Sequence, residues 1–474
     1  MLVTGPFLTL LYLIVQVHAA KQPNILLILA DDLGFNDVDW KDQKLHTPVL
    51  RSLAFSKHTV QMENSYVNQL CTPTRSALMT GYYPFRLGTQ TGVFLHMEPT
   101  GVPLMFPFVP ENLRALGYKT YMVGKWHLGY CRKELLPSMR GFDYFYGYYG
   151  PQTGYFNHSV DAWRKDLHRV VRGLDLFEEK HPGRSVPDFR QNGVYSTNLF
   201  TDRTISLLDA HDPADPFFLY LSFQSVHPPL QVPTVYERNC LAFKKGSARR
   251  IYCAMLAAMD EAIGRVVTHL KQTGMYDDTI IIFTSDNGGG VEFGASNYPL
   301  RGEKDMLWEG GTRTTTFFHA PAYIQEFAVR KEIFHVIDYH ATLLGIAGLD
   351  LVSYGDGINQ WNYIRTGKAH VRRYQFVYNI ADHGSAIRDG DFKLILGNVD
   401  KKSQFPMDKV RLFRISVDPG ENFDIAHHHP NVVKRLRQKL LDLGKFMRRT
   451  VRVPTNLWGN PERMNGTFGT GWCA

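Results

Sequence analysis

The sequence has few cysteines, no internal repeat and no low-complexity segment. The lack of repeats and biased segments excludes a repeat array and a largely disordered chain. Beyond residue 20 no apolar run is long enough to span a bilayer, which excludes a protein with several membrane spans and predicts no stable membrane insertion. The 474 residues are 44% hydrophobic, enough to bury the core of one large domain and of one smaller domain.

The first twenty residues, MLVTGPFLTLLYLIVQVHAA, lack lysine and arginine and form an apolar run that ends in small residues. Such a run is typical of a cleaved signal peptide, here residues 1–20, and a retained signal anchor is the alternative. We therefore expect the mature chain in the secretory pathway, either lysosomal or secreted. The sequons at Asn157 and Asn465 fit that route.

Five cysteines cannot all form pairs within one chain of an oxidising compartment. They are Cys71, Cys131, Cys240, Cys253 and Cys473. One of them must stay unpaired, pair with another chain or be modified.

The chain carries a net charge of +8, and most of its basic residues are scattered. Short clusters occur at Lys244–Lys245 with Arg249–Arg250, and from Arg435 to Arg449. This distribution indicates a solvated face or affinity for anionic substrates, and we expect no nucleic-acid partner.

Four apolar runs each end in a polar cluster, and helical segments separate them. The runs are Asn24–Asp32, Lys119–His127, Pro216–His227 and Thr279–Asn287. Their nearly continuous hydrophobicity is typical of strands buried on both faces of a parallel sheet. Helices are predicted at Pro110–Gly117 and Ala248–Gly274. The alternation predicts an α/β fold with a mostly parallel central sheet flanked by helices.

From about residue 373 the pattern changes to shorter alternating runs and an amphipathic helix. The runs are Tyr374–Ile380, Ser385–Leu396 and Val410–Ser416, and the helix is Asn431–Arg448. They predict a smaller domain, residues 373–474, with a short antiparallel sheet and a helix, after a larger domain of residues 21–372.

Ligands bind parallel sheets outside the carboxyl ends of the strands, so the polar ends of the four runs should meet at one site. The residues concerned are Asp31, Asp32, Lys125, His127, His227, Asp286 and Asn287. The oxygen ligands Asp31, Asp32, Asp286 and Asn287 suit calcium or magnesium better than zinc. Either pair alone, Asp31–Asp32 or Asp286–Asn287, would indicate only a helix cap or a turn. The metal site is favoured because the two pairs are predicted to lie close together.

A cation held by several carboxylates needs an anion to act on, and five cationic or imidazole side chains could bind one. They are Arg75, Lys125, His127, His227 and Lys304. Metal and cations together indicate transfer of a sulfuryl or phosphoryl group to a nucleophile. Cys71 precedes a predicted helix with Thr72 as N-cap and Pro73 at the first helical position. It would therefore lie just outside the positive end of that helix, where an anion is favoured. A disulfide or a buried apolar role is the alternative for Cys71.

Several motifs in order resemble the sulfatase family over the whole mature chain. They are Asn24–Gly34, then Cys71-x-Pro-x-Arg75 with Leu78–Gly81, Gly124–Gly129, His227–Pro233, Ser285–Gly289 and Arg301–Lys304. Within that family, the segments Gly124–Gly147 and Ser225–Pro233 are most similar to arylsulfatases B, I and J.

The resemblance implies an alkaline-phosphatase-like sandwich in which residues 21–372 are the catalytic domain. It also implies that a formylglycine-generating enzyme converts Cys71 to Cα-formylglycine (3-oxoalanine), whose hydrate is both nucleophile and metal ligand. Asp31, Asp32, Asp286 and Asn287 would hold one Ca²⁺. A covalent sulfate ester would form and be eliminated.

The same resemblance assigns roles to the cationic side chains. Arg75 and Lys125 would hold the hydrate, while Lys304 and His227 would bind sulfate and assist departure of the alcohol. Asp286 and His127 would accept the protons of the two hydroxyls. The expected substrate is a sulfated glycan, for which N-acetylgalactosamine 4-sulfate is a candidate, or an aryl sulfate.

Two departures from the family pattern stand out. Thr74 occupies a position where serine is frequent, and Leu95–Phe108 lacks the cysteines of arylsulfatase B. The disulfides of that protein can therefore not be transferred to this chain. Two alternatives stay open for the remaining cysteines: Cys240 pairs with Cys253 and Cys131 with Cys473, or all four are free thiols. Two other functions stay open, a phosphodiesterase or phosphonate hydrolase of the same superfamily and a secreted binding protein without turnover.

Overall fold

A ten-stranded sheet forms the centre of the protein. The computed structural model describes residues 22–164, 169–368, 371–382, 384–400 and 409–473, so the predicted signal peptide lies outside the described residues. The strands are β1 (Asn24–Ala30), β2 (Thr59–Tyr66), β3 (Lys119–Lys125), β4 (Tyr144–Tyr148), β5 (Ser159–Arg164), β6 (Arg169–Leu174), β7 (Phe177–His181), β8 (Arg184–Pro187), β9 (Phe217–Ser222), β10 (Thr279–Ser285), β11 (Thr316–His319), β12 (Ala328–His335), β13 (Ser353–Tyr354), β14 (Gly357–Ile358), β15 (Gln375–Ala381), β16 (Gly384–Asp389), β17 (Phe392–Gly397) and β18 (Val410–Arg414).

The four runs singled out in the sequence are adjacent in this sheet. The strand order is β12-β2-β11-β10-β1-β9-β3-β4-β7-β8, and β10, β1, β9, β3 and β4 are all parallel. The third run was predicted to continue to His227, but β9 ends at Ser222 and residues 223–227 form a loop. The mostly parallel sheet is confirmed, and the carboxyl ends of four neighbouring strands lie at one edge.

Helices cover both faces of the sheet. They are α1 (Pro48–Ala54), α2 (Cys71–Thr80), α3 (Pro84–Leu87), α4 (Val109–Ala115), α5 (Ser196–Asp209), α6 (Ala248–Gln272), α7 (Glu309–Thr312), α8 (Asp338–Ile346), α9 (Trp361–Thr366) and α10 (Pro430–Gly444). In β1 the side chains of Ile25, Leu27 and Leu29 enter one core, and those of Leu26, Ile28 and Ala30 enter the other. Two buried faces explain why these strands are apolar throughout.

The C-terminal part contains a separate four-stranded antiparallel sheet, β15-β16-β17-β18, with α10 packed on it. The predicted single run Ser385–Leu396 is in fact two strands joined by a turn at Gly390. The helix ends at Gly444, before the predicted Arg448. The domain boundary near residue 372 stays a prediction, although this sheet begins close by at Gln375.

Two disulfides join the four cysteines whose pairing the sequence did not decide. Cys131 bonds to Cys473 and Cys240 bonds to Cys253, so the pairing considered from the sequence is confirmed. Cys71 is the free cysteine, and it is buried. Within the described ranges, no helix combines the length and apolar character needed to cross a membrane.

Candidate active site

The predicted site residues come together at the carboxyl edge of the central strands. Asp31 and Asp32 follow β1, Lys125 ends β3, and Asp286 and Asn287 follow β10. Two loop residues, His227 and Lys304, approach the pair of aspartates, and Cys71 with Arg75 enters from α2. All these side chains are buried except that of Lys304, which is 17% exposed.

Cys71 is the first residue of α2. The helix starts two residues earlier than predicted, with Leu70 as N-cap, and the hydroxyl of Thr72 instead accepts a hydrogen bond from the Phe94 amide at 3.2 Å. The Cys71 Sγ lies 3.7 Å from Asp31 Oδ1. Burial, and next the charge of Asp286, raises the pKa of the thiol above its usual range. An unmodified Cys71 would therefore be protonated and a poor nucleophile at neutral pH.

Asp31 and Asp286 share the two buried cations. Lys125 Nζ donates to Asp31 Oδ2 at 2.5 Å, and Arg75 donates to Asp286 Oδ2 from Nε at 3.0 Å and from Nη2 at 2.9 Å. Burial and the neighbouring Asp286 raise the pKa of Asp31 to about 7. Burial would also raise the pKa of Asp286, but Arg75 and Lys125 outweigh it and keep this carboxyl ionised and weakly basic.

Asp32 contacts both a predicted metal ligand and a predicted sulfate-binding residue. Lys304 Nζ donates to Asp32 Oδ2 at 2.7 Å, and Asn287 Nδ2 donates to its Oδ1 at 2.7 Å. Burial acts to raise the pKa of Asp32, yet Lys304 and His227 hold it below its usual range. The φ angle of Asp32 is 60°, a left-handed value that is uncommon outside glycine and is concentrated at functional sites.

The histidines differ in what their ring nitrogens contact. His127 Nε2 lies 2.9 Å from the Phe94 carbonyl, and its buried Nδ1 has no hydrogen-bond partner among the described residues. His227 Nδ1 lies 2.6 Å from the Pro228 carbonyl, which leaves Nε2 3.8 Å from Asp32 Oδ2. Burial and Lys125 lower the pKa of His127, and burial and Lys304 lower that of His227 to about 3. A carbonyl oxygen can only accept a hydrogen bond, so the ring nitrogen that contacts it carries the proton. In the neutral rings the lone pair is therefore on Nδ1 of His127 and on Nε2 of His227.

Four side chains could hold one metal ion. Ligand atoms of Asp31, Asp32, Cys71 and His227 all lie within 4.8 Å of one another. This group includes His227, which was not among the predicted ligands, and it leaves out the predicted ligand Asp286. Both oxygens of Asp286 already accept hydrogen bonds, from Arg75 and from the Asp32 amide.

Glycines let the segments approach closely enough to form the site. Gly124, directly before Lys125, has φ of 107°, and a Cβ there would lie 1.8 Å from the Ser222 carbonyl oxygen. A Cβ on Gly288 would lie 1.9 Å from the Gly310 carbonyl oxygen. Any larger residue would therefore push apart the segments that carry Lys125, Asn287 and the Lys304 loop.

Sequence reasoning missed two sets of residues that support the site. The first is Ser222, whose hydroxyl accepts from Arg75 Nη1 at 2.5 Å, together with the Phe94 carbonyl. Ser222 is the last residue of β9 but lies inside the apolar run Pro216–His227, so no local signal in the sequence marks it.

The second set is a buried cluster of Glu309, Lys393 and Glu421, here named the carboxylate–lysine cluster. Lys393 Nζ lies 3.0 Å from Glu309 Oε1 and 2.8 Å from Glu421 Oε1. Arg301 Nη1 donates to the Glu421 carbonyl at 3.2 Å. The cluster thus ties the C-terminal sheet to both ends of the loop that carries Lys304.

Comparison with known proteins agrees with this geometry. The model of the Sulfatase family matches residues 23–349. The chain is 35% identical to mouse arylsulfatase J, over 95% of this chain and 80% of that protein. It is 28% identical to human arylsulfatase A, over 92% of this chain and 90% of the relative.

A solved structure is similar over nearly the same length. The crystal structure of Ps i-CgsB in complex with k-i-k-neocarrahexaose superposes with a TM-score of 0.77 and 28% identity, covering 91% of this chain and 94% of that one. The fold, the family resemblance and the enzyme class predicted from the sequence are confirmed. The chain belongs to the sulfatase family and is a sulfuric ester hydrolase of the arylsulfatase type.

Proposed function

We propose that the protein hydrolyses sulfate esters of a sulfated glycan, using Cys71 in its formylglycine form and one bound Ca²⁺. The observation that carries the proposal is the position of Cys71. Its side chain is buried beside Asp31, in a cluster that holds three carboxylates and the cations Arg75, Lys125 and Lys304. A thiol whose pKa is raised is a poor nucleophile in this cluster. Cys71 oxidised to formylglycine would supply a hydrated aldehyde as the nucleophile instead.

The residues present fit a calcium ion. The buried Oδ1 of Asn287 has no hydrogen-bond partner within the described part of the chain, and burial raises the pKa of Asp31 to about 7. A divalent cation would satisfy the amide oxygen and offset the repulsion among the carboxylates. Asp31, Asp32, Asp286, Asn287 and the modified Cys71 would hold it, and the bound ion would supply Lewis-acid stabilisation of negative charge.

When present, hydrated formylglycine at Cys71 would supply two hydroxyls, one to attack sulfur and a second whose loss of a proton would release the sulfate. Lys304, which keeps part of its side chain exposed beside Asp32, binds the sulfate group. His227 joins it as a donor once the arriving anion favours protonation of Nε2, the nitrogen that faces Asp32. His127 accepts a proton at Nδ1, the nitrogen left without a partner. Arg75 and Lys125 keep Asp286 and Asp31 in place and offset their charge.

A sulfated glycan is proposed as the substrate class because the similar Ps i-CgsB structure is a complex with k-i-k-neocarrahexaose. N-acetylgalactosamine 4-sulfate is the first compound to test. We also propose maturation by a formylglycine-generating enzyme in the secretory pathway and a lysosomal or secreted destination. The two disulfides and the exposed sequon residues Asn157 and Asn465 support that route.

The test is release of inorganic sulfate from an aryl sulfate and from sulfated N-acetylgalactosamine by protein made in cells that form formylglycine. Turnover of either supports the proposal. Faster turnover of a phosphonate monoester or a phosphodiester than of any sulfate ester would contradict it.

Replacing Lys304 with alanine should lower kcat/KM for an aryl sulfate by roughly 10²-fold, because one preorganised charge on the sulfate is lost. The matched control is Lys57→Ala, an exposed lysine just before β2, at the opposite edge of the sheet. Steady-state kinetics of both variants measure the effect. Equal values for Lys304→Ala and wild type would exclude a sulfate contact.

Calcium should raise the thermal unfolding midpoint of chelator-treated protein, because it binds the folded state only. At a calcium concentration of 100 Kd the gain is about 2.7 kcal/mol. The control is Asp31→Asn, which removes a buried carboxylate and should be less sensitive to chelation. If wild type and Asp31→Asn respond alike in differential scanning fluorimetry, these residues do not hold the ion.

A further inference from the structure

Nearly all the net positive charge of the chain lies in one C-terminal segment. Residues 430–458 contain eight lysines and arginines and a single acid, Asp442, a net charge of +7 out of +8 for the whole chain. We name these residues the basic strip: Lys434, Arg435, Arg437, Lys439, Lys445, Arg448, Arg449 and Arg452. The rest of the chain is almost neutral, so this surface dominates the long-range field of the protein.

Neighbouring acids neutralise only part of the basic strip. Asp389 pairs with Arg435 and Lys439, Asp442 pairs with Lys445, and Glu98 pairs with Arg452. Lys434, Arg437 and Arg449 are exposed, and no acidic side chain within the described residues pairs with them. Even with Asp389 and Glu98 included, the local excess is five positive charges.

The strip adjoins a segment that leads to the active site. The Arg448 amide donates to the Phe85 carbonyl at 2.8 Å and the Val451 amide to the Gly88 carbonyl at 2.9 Å. Arg452 Nη1 lies so close to Gly92 that a Cβ there would be 2.4 Å away. Two residues further on, the Phe94 carbonyl contacts His127 Nε2. The basic surface and the catalytic residues are therefore connected through residues 85–94.

We propose that the basic strip binds the part of a sulfated glycan chain that extends beyond the scissile sulfate. This inference rests on the proposed function, because it places a polymeric polyanion at the same active site. Exposed cations each contribute little, but several of them act together on a polymer whose charges repeat along its length. The strip would raise the local concentration of polymeric substrate and leave small aryl sulfates unaffected.

Sulfated glycan is favoured over nucleic acid as the occupant. The proposed reaction consumes sulfate esters, and backbone hydrogen bonds at Phe85 and Gly88 join the strip to the segment that ends beside His127. Nucleic acid would use the same charges but would bring no scissile sulfate. It is therefore a competing outcome of the experiment.

The experiment compares wild type with the triple variant Lys434→Gln, Arg437→Gln, Arg449→Gln. The matched control is Lys57→Gln, Lys119→Gln, Lys271→Gln, which removes three exposed charges near the opposite edge of the sheet. The probe is a size-defined heparin oligosaccharide. Its Kd is measured at several salt concentrations, together with its inhibition of aryl sulfate hydrolysis.

We expect the triple variant to bind heparin about tenfold more weakly, with a shallower salt dependence, and to need about tenfold more heparin for inhibition. Its kcat for the aryl sulfate should equal that of wild type, which also shows that it is folded. The inference would be overturned if both triple variants bound heparin with the same Kd. It would also be overturned if wild type bound a single-stranded oligonucleotide as tightly as it binds heparin. Absence of aryl sulfate turnover by wild type would instead overturn the proposed function.

Discussion

Replacing Cys71 with serine is expected to lower kcat for aryl sulfate hydrolysis by at least about 10⁴-fold, the scale seen when a catalytic nucleophile is removed. Serine supplies one hydroxyl, whereas a formylglycine hydrate supplies two, and the second is needed to expel sulfate. The buried site offers no replacement, because Thr72 is engaged with the Phe94 amide. Single-turnover and steady-state kinetics would separate loss of attack from loss of sulfate release.

A control addresses the sequence around Cys71. Thr74→Ser keeps the hydroxyl that contacts the backbone of Asn68 and restores the residue frequent in the family, so its activity should equal that of wild type. The same thermal midpoint for all three proteins would show that the Cys71→Ser variant is folded. Wild-type turnover by Cys71→Ser would rule out catalysis by formylglycine.

Replacing Lys393 with methionine is expected to reduce the free energy of unfolding by about 3–5 kcal/mol, because it leaves buried carboxylates without their cation. Lys393 contacts both Glu309 and Glu421, and all three side chains are inaccessible to solvent. Tyr66 and Tyr378 donate hydrogen bonds to Glu309 at 2.8 and 2.6 Å, but neither carries a positive charge. Chemical denaturation of the two proteins measures the difference.

The pH dependence of this loss has a definite sign. Burial already raises the pKa of Glu421 to about 7, from an ordinary 4.5, so its ionisation destabilises the fold as the pH rises through that interval. Without Lys393 the pKa of Glu421 should rise further. Burial acts to raise the pKa of Glu309, but Lys393, Arg388 and Arg313 hold it below its ordinary value, so it should rise as well when Lys393 is lost. The destabilisation should therefore be larger at pH 8 than at pH 5.

The matched control is Lys119→Met, which also replaces a strand lysine. Lys119 is 51% exposed and pairs with Asp215 at 3.4 Å, so its loss should cost less than about 1 kcal/mol. A Lys393→Met variant as stable as Lys119→Met, or one with no pH dependence of the difference, would contradict the role given to the carboxylate–lysine cluster.

The central sheet and the site at its edge could be predicted from sequence because each rests on local patterns. Continuous apolar runs indicate strands that are buried on both faces of a sheet. The carboxyl ends of neighbouring parallel strands lie at the same edge of the sheet, whatever segments connect the strands. Asp31, Lys125 and Asp286 were placed together on that basis alone. Arg75 and Lys304 lie on a helix and a loop and follow no strand rule. They are predicted only as cationic side chains able to bind an anion, and the family resemblance then gives them roles.

Other features depend on tertiary contacts that leave no local signal. Lys393 lies in an alternating strand pattern and Glu421 in a turn, so nothing nearby shows that they meet Glu309. The start of α2 at Cys71 depends on Thr72 being used by the Phe94 amide instead of capping the helix. Likewise, β9 ends at Ser222 although the apolar pattern continues to Val226, because residues 223–227 form the loop that brings His227 to Asp32.

Mass spectrometry of the peptide that contains Cys71 tests the central claim most directly. Protein from cells that form formylglycine should yield this peptide with a mass lower by about 18 Da than the cysteine form, the difference between a thiol and an aldehyde side chain. The modified fraction should match the fraction of active enzyme. An unmodified Cys71 in protein that hydrolyses aryl sulfates would contradict the account.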